Sequence, residues 1–252
     1  MIRLGTRRSR LATAQARIVA DQLGGAELVP ISTAGDRDAA GSFAEIGTGR
    51  GVFTRDIERA LLDGDVDAAV HSAKDLTGDM PDGLVLGAIL ERADPRDAVC
   101  GRYGSLAEIP AGARVGTSSA RRAGLLAELR PDIRVVPLRG NVDTRLAKLD
   151  AGEADAIVLA AAGLERLGLG DRIAFLLDPR EFVPEAGQGA IAIQVRAGEE
   201  PLVAALDHAP SRAAVEAERE CVRRLGGGCT AAVAAHAWHE GGELRLQHWT
   251  AA

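Results

Sequence analysis

The sequence predicts an α/β protein of two related lobes facing a cleft, followed by a small C-terminal α+β domain. Three observations lead there. Strand-like and helix-like segments alternate from the N-terminus, the pattern then restarts, and from about residue 200 it changes character. At 252 residues and 46% hydrophobic, the chain can bury more than one core.

In the first half, IRLGT, AELVPIST and VDAAVHSA read as short buried strands, while SRLATAQARIVADQL and FTRDIERALLDG show helical spacing. The restart is an internal repeat. Gly5-Thr6 recurs as Gly116-Thr117 at an offset of 111, and Val29-Pro30-Ile31 recurs as Val136-Pro137-Leu138 at 107. LDGDVDAAVHSAKDL (62–76) matches DAGEADAIVLAAAGL (150–164) at 88, sharing Gly64/Gly152, Asp67/Asp155 and Val70/Val158. The fall from 107 to 88 gives the first half 19 extra residues, within the Gly-rich stretch 34–51. An insertion of that length in a compact domain suits a lid over a binding site. LERADPRD (90–97) and REFVPEAGQG (180–189) are candidate crossings. Lobe 1 is thus expected over 1–92 and 187–205, lobe 2 over 93–186, and the third domain over 206–252. That last unit comprises the helix SRAAVEAERECVRRL, the loop LGGGC with Cys229, and strands AVAAHAW and ELRLQHW.

A net charge of −6 and a pI near 5.5 argue against nucleic-acid or membrane-surface binding as the main task. The start MIRLGTRRSRL has charges where a secretory leader has an apolar run, and no stretch has the length of a membrane span. With three cysteines, Cys100, Cys221 and Cys229, the expectation is a cytoplasmic protein with free thiols. Spacings around Cys221, Cys229, His236 and His239 do not match structural zinc sites, so no metal is expected. No phosphate-loop, dinucleotide or Ser-His-Asp pattern stands out. Three glycines before Cys229 permit a tight turn with an incidental thiol or a presented nucleophile or attachment point. The residues alone leave both open.

Polar side chains collect where the strands end. Arg7 and Ser9 follow the first strand, and Ser72, Lys74 and Asp75 follow VDAAVHSA. Thr117, Ser118, Ser119, Arg121 and Arg122 follow ARVG. Arg139, Asn141 and Arg145 follow RVVPL, and Arg166 follows DAIVLAAAGL. Ligands of open α/β sheets sit beyond these carboxyl ends. Cations converging there would bind a ligand with several carboxylates or phosphates, since Arg forks hold carboxylates bidentately. The repeat supplies an internal control. Lys74-Asp75 in one half faces Ala162-Gly163 in the other, so the pair is not needed to build the fold.

GTRRSRLATAQ, HSAKDL, GTSSARR, LRGNVDTRL, AAAGLERLGL, PEAGQGAIAIQVR and LGGGC, in this order, resemble the hydroxymethylbilane synthase (porphobilinogen deaminase) family over nearly the whole chain. The resemblance implies two periplasmic-binding-protein-like (type II) lobes with a cleft between them, plus the small third domain. It implies a cytoplasmic, monomeric transferase of porphyrin biosynthesis. Such an enzyme condenses four porphobilinogen molecules head to tail, releasing ammonia, on a dipyrromethane cofactor joined by a thioether to Cys229. By the same resemblance, Asp75 is the catalytic residue, stabilising cationic pyrrole species. Lys74, Ser72, Thr117, Ser118, Ser119, Arg121, Arg122, Arg139 and Asn141 hold the cofactor. Arg7, Ser9, Arg145, Arg166 and Phe53 meet the substrate, Phe53 by stacking on a pyrrole.

The chain departs from the family at Thr230-Ala231-Ala232-Val233, where a proline commonly follows the cysteine, and at Glu45, where some members have lysine. It stops at HWTAA where relatives continue, so the third domain is expected to be truncated, with an exposed sheet edge. Two other readings share the architecture. One is a non-catalytic binding protein for anionic small molecules, which would need neither Asp75 nor Cys229, and the other is an inactive relative.

Overall fold

The computed structural model describes residues 1–33, 54–76, 80–226 and 232–251. The expected lid over 34–51, Phe53 and Cys229 lie outside the described residues. The chain runs through β1 (Arg3–Arg7), α1 (Arg10–Gln22), β2 (Glu27–Ile31), α2 (Arg55–Leu62), β3 (Ala68–Ser72) and β4 (Leu84–Ile89). It continues through β5 (Asp97–Gly101), β6 (Arg114–Gly116), α3 (Ala120–Leu129), β7 (Arg134–Val136), α4 (Val142–Asp150), β8 (Ala156–Ala160), α5 (Ala161–Arg166) and β9 (Phe175–Leu176). Last come β10 (Ile191–Arg196), α6 (Ala209–Arg224), β11 (Val233–Glu240) and β12 (Glu243–Thr250).

Two five-stranded sheets form, in the orders β2-β1-β3-β10-β4 and β7-β6-β8-β5-β9. In each, three parallel strands built from βαβ units are followed by one antiparallel strand, β10 or β5. The chain therefore crosses between the sheets twice, after β4 and again before β10.

The register reproduces the sequence repeat. Gly5 lies opposite Val29 and Ala69, and Gly116 lies opposite Val136 and Ile157, which are the 111, 107 and 88 offsets seen in three dimensions. One staple is duplicated with it. The Arg3 backbone N–H donates to Asp67 Oδ2 at 2.8 Å and its guanidinium to Gly64 O at 2.9 Å. Arg114 makes the same bonds to Asp155 and Gly152 at the same two distances.

β2 departs from the expectation of a buried strand. It is a half-exposed edge, as is β7, because each pairs on one side only. An edge also tolerates Pro30, which has no N–H to give a ladder. Beneath each sheet lies a separate apolar core. Leu4, Val19, Val70, Ile193 and Val203 pack in the first, and Val99, Val115, Leu126, Val158 and Phe182 in the second. Each buried aliphatic contributes about 1.5–3 kcal/mol.

The third domain straddles the other two. Val215 of α6 packs among Ala73, Leu76, Ile89 and Ala190 of the first lobe. Trp249 of β12 packs on the second lobe's core and donates to Glu128 Oε2 at 2.8 Å. Gly124 is what admits the ring, since a Cβ there would stand 2.4 Å from it. Among the described residues β12 pairs only with β11, and Leu244 and Leu246 are exposed. No described helix is long and apolar enough to cross a membrane.

Candidate functional site: a cleft between the two sheets

β3 ends at Ser72 and passes into a 3₁₀ turn, Ala73–Asp75, which lifts Lys74 and Asp75 beyond the carboxyl edge of the first sheet. The second crossing presses on this turn. Gly187, at φ +76°, lies so close that a Cβ would stand 2.9 Å from Ala73 C and Lys74 N. Gly189, at φ +87°, does the same against Ala93 O of the first crossing. Any other residue at Gly187 would push the crossing off the turn, and at Gly189 it would force the two crossings apart.

Leu11, Gln15, Ser72 and Lys74 from the first lobe face Ala160, Ala162, Gly163 and Arg166 from the second. With residues 187–190 between them, they line a narrow, partly open cleft. Gln15 Nε2 donates to Ser72 Oγ at 2.8 Å. Lys74 Nζ donates to Gln188 Oε1 at 3.4 Å and lies 3.9 Å from Glu185 Oε2. Burial pulls the Lys74 ammonium below the usual lysine value, with Glu185 opposing. Asp75 keeps partial solvent contact yet sits deep in surrounding protein. Burial pushes its carboxyl up, and Lys74 and Arg7 pull it back. Among the described residues no hydrogen bond or ion pair occupies it. His71, one strand position before Ser72, faces the sheet interior, with Nε2 3.1 Å from Gln194 Oε1. Burial lowers it to about 4, so it is neutral.

The second lobe supplies cations. Burial brings Arg145 and Arg166 down to about 10. They donate to neutral carbonyls, Gly140 O and Gly189 O, each at 2.7 Å. Arg122 approaches the same cleft from α3. Its Nε donates to Asp97 Oδ1 at 2.8 Å, and its Nη2 to Gln188 Oε1 at 3.4 Å. Burial alone would raise Asp97, but Arg121 and Arg122 together hold it at about 2.

The remaining expected site residues scatter. Arg121 turns inward, donating to Asp97 and to Val183 O beneath the Phe182 ring. Ser9 and Ser119 cap α1 and α3, accepting from Ala12 N and Arg122 N. Thr117 is buried and accepts from Ser119 N, while Ser118, Arg139 and Asn141 are exposed on the loops of the second lobe. Arg7, at the end of β1, acts on Asp75 through its charge.

Sequence reasoning missed Asp97, Gln188 and Glu218. Asp97 and Gln188 are silent in sequence because each sits in a crossing, read as connection. Glu218 was legible. It lies seven, four and three residues after the buried Ser211, Ala214 and Val215, on the inner face of α6. There it accepts from Arg92, Gly187 N and Ala237 N at 2.6–2.7 Å, tying both crossings to the third domain.

Residues 2–204 match the family model described as "Porphobilinogen deaminase, dipyromethane cofactor binding domain". The chain belongs to the porphobilinogen deaminase family. It is 49% identical over 249 residues to the porphobilinogen deaminase of Paraburkholderia phymatum, covering 94% of this chain and 76% of that one. It is 50% identical over 256 residues to that of Stenotrophomonas maltophilia strain K279a, covering 98% and 84%. Among solved structures, a nutrient-binding protein from Burkholderia cenocepacia bound to methionine aligns with a TM-score of 0.47 at 15% identity. That alignment covers 90% of this chain and 98% of the other. The methionine-binding protein MetQ aligns at 0.48 and 16% identity, covering 81% and 89%.

The cleft suits the dipyrromethane cofactor of this family. Lys74 and Arg166 line it, and Arg166 has a carbonyl partner and no carboxylate partner among the described residues, which leaves its charge for a ligand carboxylate.

Proposed function

We propose that this chain is a hydroxymethylbilane synthase, a transferase that condenses four porphobilinogen molecules head to tail with release of ammonia. The observation that supports it is the turn at 73–75. A carboxylate with no hydrogen bond or ion pair among the described residues lies beside an ammonium at the edge of one sheet only, and Arg166, whose described partner is a carbonyl, lines the facing side of the cleft. Divided as the crossings suggest, lobe 1 is 1–92 with 187–205, lobe 2 is 93–186, and the third domain is 206–252.

When bound, dipyrromethane supplies the pyrrole carbon onto which the first substrate is joined. Lys74 and Arg122, with Ser72 and Thr117, hold carboxylates of the cofactor, and Arg145 and Arg166 hold those of the substrate. Cys229 provides the thioether. Arg7 and Ser9 face incoming substrate. Asp75 does the chemistry open to a carboxylate in a poorly solvated cleft. It stabilises positive charge as ammonia departs, and its raised pKa suits it to pass a proton at Oδ. The working form is a cytoplasmic monomer.

The test measures ammonia release from porphobilinogen and the intact mass of protein made in a host that supplies it, beside Cys229→Ser. A dipyrromethane-sized adduct in the parent chain alone, with ammonia release, is the expected result. A bare mass after incubation with porphobilinogen would sink the reading.

A further inference from the structure

Glu185 has no part in the roles above, yet the crossing turn it opens meets Lys74 from two directions. Glu185 Oε2 stands 3.9 Å from Nζ, and Gln188 Oε1 accepts from the same atom at 3.4 Å. Gln188 N–H closes the turn on Glu185 O at 2.9 Å, so both side chains leave one short loop. Gly187, between them, lies against the Ala73–Lys74 backbone at a distance no Cβ tolerates, and Glu218 holds its N–H at 2.7 Å. The loop is thus fixed relative to the lysine. Gln188 is fixed as well. Its Nε2 donates to Pro95 O at 2.8 Å and to Asp97 Oδ1 at 3.2 Å, so its oxygen must face the cations.

An ammonium in a poorly solvated cleft needs a counter-ion to stay charged. Arg122 opposes the charge on Lys74, while Glu185, Asp75 and Asp97 favour it, and of these Glu185 acts most strongly. Glu185 is also the only carboxylate within ion-pair reach of Lys74 among the described residues. A tight pair, at about 2.8 Å, would compete with any ligand carboxylate. A half-exposed partner at 3.9 Å keeps the ammonium charged and still gives way.

We propose that Glu185 is a positioning residue, a loose counter-ion that keeps Lys74 charged and turned into the cleft until a ligand carboxylate replaces it. The inference rests on the functional reading above, since the displacing carboxylates are those of a pyrrole acid. Glu185 also faces Asp75, whose ionised form Lys74 and Arg7 favour and Glu185 opposes.

The chain's only lysines are Lys74 and Lys148, so ¹³Cε-lysine labelling of the full chain gives two titrating signals, assigned by Lys148→Arg. Glu185→Gln should lower the proton affinity of Lys74 at least about threefold and leave Lys148 unmoved. Glu185→Asp, with a shorter reach, should move it less in the same direction. The alkaline limb of ammonia release from porphobilinogen should follow the Lys74 midpoint. An unmoved Lys74 in a folded Glu185→Gln chain, where the parent chain releases ammonia, overturns this inference alone. A parent chain that releases none overturns the functional reading, whatever Lys74 does.

Discussion

The two lobes share a plan and differ past the carboxyl ends of their third strands. The Arg3–Asp67–Gly64 staple and its Arg114–Asp155–Gly152 copy keep the same hydrogen bonds, because both hold the first strand of a sheet to the turn before the third. Past the ends of those third strands the likeness stops. One lobe goes on to Ser72, Lys74 and Asp75, the other to Ala160, Ala162 and Gly163. The antiparallel strands differ as well. Ile191 pairs with Ser72 in the first sheet, while Asp97 pairs with Ala160 in the second and carries two buried arginines. What a fold needs twice is kept twice. What the proposed reaction would use appears once.

The largest effect should come from the unduplicated carboxylate. Asp75→Asn is expected to cost about 10²–10⁴-fold in ammonia release. Its unfolding midpoint should match the parent chain, because the other lobe folds with Gly163 there. Unchanged turnover would remove Asp75 from its role.

Asp97 sharpens the comparison from the stability side. Asp97→Ala leaves Arg121 and Arg122 buried without their counter-charge, at a cost of about 3–5 kcal/mol in urea unfolding. Because its folded pKa of about 2 lies below the ordinary value, its stabilisation is complete above about pH 4 and fades as pH falls toward 2. Asp97→Asn should therefore flatten stability against pH in that window. An unchanged acid limb would show that the arginines are satisfied some other way.

The duplicated staple predicts equality. Asp67→Asn and Asp155→Asn should each lose roughly 0.5–1 kcal/mol, both sites being partly exposed. Costs that differ by more than twofold between the lobes would break the claim that the two staples do one job.

The smallest effect belongs to a contact across the cleft. Arg10 at the start of α1 pairs with Asp143 in the first turn of α4, and both are well exposed. Arg10→Asp with Asp143→Arg should restore whatever either single change loses, within about 1 kcal/mol, and the loss should vanish in high salt. Failure of the double change to restore it would mean that the pair holds nothing.

Much of this was legible in the chain. The offsets 111, 107 and 88 became strand registers because a duplicated unit must pair its strands the same way to bury the same face. Asp75 stood out because its counterpart was missing from the repeat. Arg121 and Arg122 show the limit. Adjacent in sequence after one strand end, both read as ligand cations. In the fold, both guanidiniums bond Asp97, and only Arg122 also reaches Gln188.

By itself, the sequence determined the two repeated α/β units, the strand ends where polar groups gather, and the one carboxylate outside the repeat. Those follow from local periodicity and internal comparison, which need no partner from afar. The tertiary structure alone decided that Gly187 presses on Lys74, that Gln188 joins the lobes, and that Glu218 ties both crossings to the third domain. Each of these contacts joins residues from 31 to 126 positions apart, and packing, not spacing, chooses such partners.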